Sequence, residues 1–208
     1  SNVVNLTTYY QMKERAGEMG ANGLNPVLRQ VRSNAPEIRI HLLGHSFGGR
    51  LVTACADGTQ GEPPVLPNTM TLLQAAFSHN GFAQLFDGAT DGFFRKVVTD
   101  RKVNGPILIT HSIMDKAVGL SYPLPSPLAG QQAFPGGDAN DLYGGIGRNG
   151  AQKTPEAMDG DLLDVGAAYS FEAGKLYNLR ADSIIGGHSD ICKDEVAYAV
   201  LTAVDAAG

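Results

Sequence analysis

Ile38-Arg39-Ile40-His41-Leu42-Leu43-Gly44-His45-Ser46-Phe47-Gly48-Gly49-Arg50-Leu51-Val52-Thr53-Ala54-Cys55 sets an apolar run, a glycine-flanked serine and a helical stretch in direct succession. Residues 38–43 read as a buried strand, Ser46 as the apex of a tight turn, and the residues from Gly49 onward as a helix. A serine at such a turn takes a strained backbone conformation with its hydroxyl projecting from the top of the sheet. Gly44 and Gly48 leave room for the bend, and Gly49 lets helix and strand approach closely. The pattern points to covalent serine catalysis with Ser46 as nucleophile.

The rest of the chain repeats the alternation. Thr7 to Asn34 reads as helix broken near Gly20 to Gly23, with Leu24, Val27, Leu28 and Val31 at helical spacing until Ala35-Pro36 stops it. After a Gly/Pro-rich connection from Gly58 to Pro67, Thr69 to Ala76 has the continuous apolar character of a strand covered on both faces. Gly105-Pro106 opens a further strand at Ile107 to His111, and Lys175 to Ala181 is another. Asp194 to Ala206 then carries Val196, Val200, Leu201 and Val204 on one helical face. Strands alternating with helices predict an α/β fold: one domain over 1–208, a mostly parallel sheet, and helices on both of its faces. Two insertions, 77–104 and 118–160, interrupt the pattern and are candidate caps or lids. Within them Phe82, Phe86, Phe93 and Phe94 could line an acyl pocket, although such a stripe is more often a helix packing on the sheet, and Leu120 to Phe134 is a candidate cover.

Composition narrows the function classes. A net charge of -5, with basic pairs only at Arg95-Lys96 and Arg101-Lys102, offers no footprint for nucleic acid. No apolar stretch approaches the roughly 18 residues that span a bilayer, and the N-terminus lacks the regions of a signal peptide. The chain opens on Ser1-Asn2 with no Met, so localisation stays open, with a cytoplasmic setting slightly favoured. Cys55 and Cys192 have no metal-ligand spacing and read as buried packing residues, so neither a metal nor a cofactor is expected.

A serine hydroxyl needs a base to take its proton and a third group to orient that base. Of the five histidines, His41 lies within a strand and His45 faces away from Ser46, so both read as structural. His79 and His111 follow strands and are plausible pocket residues. His188 stands in Gly186-Gly187-His188-Ser189-Asp190, between the last strand and the last helix. Catalytic groups of open parallel sheets gather at the carboxyl ends of strands, and Asp115, in His111-Ser112-Ile113-Met114-Asp115, is the aspartate placed immediately beyond an apolar strand. Its rivals are Asp87, Asp91, Asp138, Asp141, Asp159, Asp161 and Asp164.

The turn at Gly44 to Gly49, Asp115 after Pro106 to His111, and His188 after Lys175 to Ala181 together resemble the C-terminal part of an α/β-hydrolase superfamily member. The resemblance implies the chain order nucleophile, acid, histidine, hence Ser46, Asp115 and His188, with the backbone N–H of Phe47 as one oxyanion donor. It implies a small-molecule acyl substrate; ester hydrolysis, amide hydrolysis and acyl transfer would use the same residues. Superfamily members carry several strands before the serine turn, whereas only Ser1 to Leu6 precedes the first helix here, so the N-terminal strands are expected on an upstream remainder of the polypeptide. A non-catalytic binding or assembly domain of the same fold is the alternative. Gly44 to Gly49 matches neither phosphate-binding glycine pattern, which disfavours a nucleotide site.

Overall fold

The structure, a computed structural model, describes residues 2–121 and 144–208. The expected N-terminal helix is α1 (Asn2–Glu18) followed by a π-helical turn at Met19–Leu24 and α2 (Asn25–Asn34). The turn marks the glycine break because the helices cross tightly there: a Cβ on Gly20 would collide with the Leu51 carbonyl oxygen. Asn25, buried at the start of α2, donates its side-chain amide to the Cys55 carbonyl at 2.7 Å, joining the helices end to face.

Next come β1 (His41–His45), α3 (Phe47–Asp57), β2 (Thr69–Leu73), α4 (Arg95–Thr99), β3 (Ile107–His111) and α5 (Lys116–Ser121). Beyond residue 143 follow α6 (Ile146–Asn149), β4 (Ala157–Asp161), β5 (Leu176–Arg180) and α7 (Asp194–Ala206). The five strands lie in the order β1-β2-β3-β5-β4. Every pair is parallel, so the sheet is wholly parallel among the described residues.

Alternation along the strands sends side chains to two cores. Leu42, Met70, Leu72, Ile107, Ile109 and Leu176 join Val52, Ala54 and Ala56 of α3 on one face. Leu73, Leu108, Tyr177 and Leu179 join Val196, Ala199 and Ala203 of α7 on the other. Both faces of the sheet are therefore covered by helices, and the strand ends at the carboxyl rim are what remain for chemistry.

The strand bounds shift from the sequence reading in informative ways. β1 starts at His41 and runs to His45, because residues 41–45 pair with β2 while Ile38 is 45% exposed and precedes the ladder. β2 stops at Leu73, where Gln74 turns the chain at φ 43. The 118–160 stretch, expected to be an irregular insertion, contains α6 and all but the last residue of the parallel edge strand β4; its residues 122–143, with Asp138, Asp141 and most of the Leu120 to Phe134 cover, lie outside the described residues. In 77–104, Phe82 and Phe94 are buried and meet Phe77 edge-on at 5.8 and 5.4 Å. They are core packing, as is expected of aromatic rings that find edge-to-face partners, whereas Phe93 is exposed. Cys55 is buried, and burial pushes its thiol up to about 11. Cys192, expected to be buried, is exposed: it precedes α7 in a loop that the apolar face of the helix does not reach.

Candidate active site

Ser46 links β1 to α3 at φ 56 and ψ -125, a conformation that costs a non-glycine residue roughly 1–3 kcal/mol. The surroundings enforce it. Ser46 N–H donates to the Leu73 carbonyl at 3.2 Å, and the Ser46 carbonyl accepts from Gly49 N–H at 3.0 Å and Ala76 N–H at 2.9 Å. A Cβ on Gly44 would collide with the Gly48 carbonyl oxygen, and one on Gly49 would meet the Ala75 Cβ at 2.5 Å. Gly48 has open space where its Cβ would be, so the tight glycines of the turn are Gly44 and Gly49. Phe47 opens α3 directly after Ser46, which places its backbone N–H in the first turn of the helix.

Three of the predicted residues meet. His188 Nε2 lies 2.8 Å from Ser46 Oγ, and His188 Nδ1 lies 2.9 Å from Asp115 Oδ2. With the ring proton on Nδ1, His188 donates to the carboxylate and its Nε2 accepts the Ser46 hydroxyl proton. Asp115 is fully buried, so its charge needs donors, and among the described residues it has three: His188 Nδ1–H and Gln74 Nε2–H on Oδ2, and Val118 N–H on Oδ1 at 3.0 Å. The His188 side chain keeps 22% of its surface exposed, which leaves the serine end of the chain reachable.

The loop that presents His188 is tied at several points. Ser112 Oγ–H donates to the Ile185 carbonyl at 2.9 Å, fastening the loop to the end of β3. Asp190 Oδ2 accepts the Gly186 N–H at 3.0 Å, and Lys193 and that N–H together hold the Asp190 carboxyl below its usual range. His45, read from sequence as structural, braces the loop from the other side. Its Nε2 bonds the His188 carbonyl at 2.8 Å, and the two rings lie 4.8 Å apart.

Four of the rival aspartates have other partners. Asp87 and Asp91 accept backbone N–H groups of their own loop, Asp159 bonds Asn178 and Asp161 bonds Arg180. His41 pairs with Thr69 Oγ1, and His79, fully buried, has its Nδ1 3.0 Å from Asn149 Nδ2. Burial pushes His111 below its usual range at the end of β3. Gln74 escaped the sequence reading, although an amide interrupting the apolar run Leu72-Leu73-Gln74-Ala75-Ala76 at a strand end is a usable signal. Among the described residues no group of three or more His, Cys, Asp or Glu side chains is placed to hold a metal ion, and no helix is long and apolar enough to cross a membrane.

Fold and site together define an α/β protein with a mostly parallel sheet and a Ser-His-Asp hydrogen-bond chain at its carboxyl rim. No protein-family model, curated protein or solved structure matches the chain.

Proposed function

We propose that this protein is a serine hydrolase of the α/β-hydrolase type, acting on a carboxylic ester or related acyl substrate through an acyl-enzyme. The observation that carries the proposal is the continuous chain Ser46 Oγ, His188, Asp115, at 2.8 and 2.9 Å, hung from a strained turn. Five-residue glycine-serine patterns occur by chance; a buried aspartate aligned through a histidine onto that serine is a far more demanding arrangement.

In the proposed reaction Ser46 Oγ attacks the acyl carbonyl carbon while His188 Nε2 takes the hydroxyl proton. The Asp115 carboxylate holds Nδ1–H and stabilises the imidazolium that results. The tetrahedral oxyanion receives the backbone N–H of Phe47, a contact of a kind that contributes on the order of 3 kcal/mol to the transition state. His188 then protonates the leaving group. Water, activated by the same histidine, releases the acid by the reverse sequence and restores Ser46.

A fluorophosphonate probe tests this directly, because it phosphonylates only an activated serine. Labelling of the wild type that vanishes in Ser46→Ala is the expected outcome, with mass spectrometry placing the adduct on residue 46. A folded wild type that takes no label at neutral pH would sink the hydrolase reading and favour a binding domain of the same fold.

A further inference from the structure

Gln74 is fully buried, directly after β2, at a backbone angle of φ 43 that side-chain-bearing residues seldom adopt. The strain is held in place by the side chain's partners. Its Nε2 donates to Asp115 Oδ2 at 3.3 Å and to the Gly147 carbonyl at 2.8 Å. Its Oε1 accepts the Thr110 Oγ1–H at 3.0 Å, and its backbone N–H reaches Thr110 Oγ1 at 3.3 Å. These partners fix the sense of the amide: turned over, Oε1 would face a carboxylate and a carbonyl, and Nε2 would face the hydroxyl proton. Gly147 presses against the backbone of this residue so closely that a Cβ there would collide with the Gln74 carbonyl carbon.

We infer that Gln74 is a positioning residue that acts through Asp115: its amide competes with His188 for one carboxylate oxygen, aims that oxygen, and tempers its pull on the imidazole. The inference rests on the proposed hydrolase reading for its catalytic consequence, but the hydrogen-bond network that carries it is independent of activity. Thr110 orients Gln74, Gln74 and Val118 N–H hold the two oxygens of Asp115, and His188 passes the effect to Ser46. A glutamine supplies two donors without adding a charge, so the site keeps one anion opposite His188.

Other ionisable groups surround the pair. The His45 ring is 4.8 Å from that of His188, Asp190 and Lys193 pair at 2.9 Å in the histidine loop, and Lys116 adjoins Asp115 in the chain. Asp182 and Arg148 bond the backbone of Ile113. None of them is altered by substituting Gln74, so a change in pH response isolates the amide.

The test compares full-length wild type with Gln74→Met, which keeps the volume and removes the donors, and with Thr110→Val, which keeps the amide and removes its anchor. Two readouts apply: the pH profile of fluorophosphonate labelling, and the downfield Nδ1–H proton resonance of His188. In folded Gln74→Met, the labelling rate falls by about tenfold and the acid limb of its profile moves up by roughly one pH unit, because the undiluted carboxylate holds the imidazolium more strongly. The His188 resonance moves further downfield. Thr110→Val shifts both in the same direction by less, and it decides the matter if Gln74→Met does not fold. A folded variant with the wild-type profile and an unmoved resonance overturns the inference and leaves Gln74 a packing residue. An unlabelled wild type overturns the hydrolase reading instead, and the resonance then judges Gln74 alone.

Discussion

β2 and β4 are each five residues long and each pairs in parallel, yet they live in opposite circumstances. β2 lies between β1 and β3 with every residue buried; its last residue, Leu73, and Ala76 in the turn beyond brace Ser46, and Gln74 braces Asp115. β4 is an edge with only Ala157 partly covered, and its aspartates reach back to Asn178 and Arg180 of the single neighbouring strand. The contrast shows where placement to a fraction of an ångström is available. A strand held on both sides and both faces has one position, and the residues at its end inherit that precision. An edge strand with exposed polar residues has no such restraint, and its two aspartates, Asp159 and Asp161, bond Asn178 and Arg180 and stay out of the Ser46-His188-Asp115 chain.

The strongest way to break this contrast is chemical. Asp115→Asn keeps the shape of the buried end and removes the orienting charge, so the labelling rate should fall by about ten-thousandfold with the circular dichroism spectrum unchanged. Survival of activity would move the acid to another carboxylate. Next in size is the packing of β2 itself. Leu72 is fully buried, and Leu72→Ala should cost about 3 kcal/mol in urea unfolding. A cost well under about 1 kcal/mol there would mean that the strand is not the rigid member.

Smaller effects sharpen the edge side. Glu156, just before β4, grips the Arg95 guanidinium with both oxygens at 2.6 Å and ties the edge to the start of α4. Hydrogen bonding to Arg95 holds the Glu156 carboxyl below its usual range. A depressed folded value stabilises above the ordinary glutamate range and loses that contribution as the pH falls through the depressed one. Glu156→Gln should therefore be less stable than wild type by about 1 kcal/mol near pH 7, with the gap closing below about pH 4 in chemical denaturation. A gap that is independent of pH would show that packing, not charge, carries the tether. Smallest of all, Met158→Ala on β4 should change stability by less than about 0.5 kcal/mol, since Met158 is 45% exposed. A loss matching that of Leu72→Ala would erase the distinction between the strands.

The same contrast explains what was legible in the residues. β2 and β3 announce themselves as largely apolar runs because both faces are covered, and β5, with Leu176, Tyr177 and Leu179 buried around Asn178, is a weaker version of the same signal. Ala157-Met158-Asp159-Gly160-Asp161 has no such signature; it is a strand because β5 offers it an unpaired ladder. At the site, Ser46 was readable from its glycines and strand, and Asp115 and His188 from their places after strands. Gln74 is marked in the sequence only as an amide interrupting an apolar run, and His45 not at all, because their roles consist of contacts between segments distant in sequence: Gln74 to residue 115, His45 to residue 188.

Sequence alone thus determined the strand-turn-helix around Ser46 and the alternation that builds a parallel sheet, since both follow from local sterics and hydrophobic periodicity. Tertiary structure decided which histidine meets which aspartate, which glycines are tight, and which amide steadies the carboxylate. Those outcomes depend on distances across the sheet, and a chain acquires them only when its strands take their register.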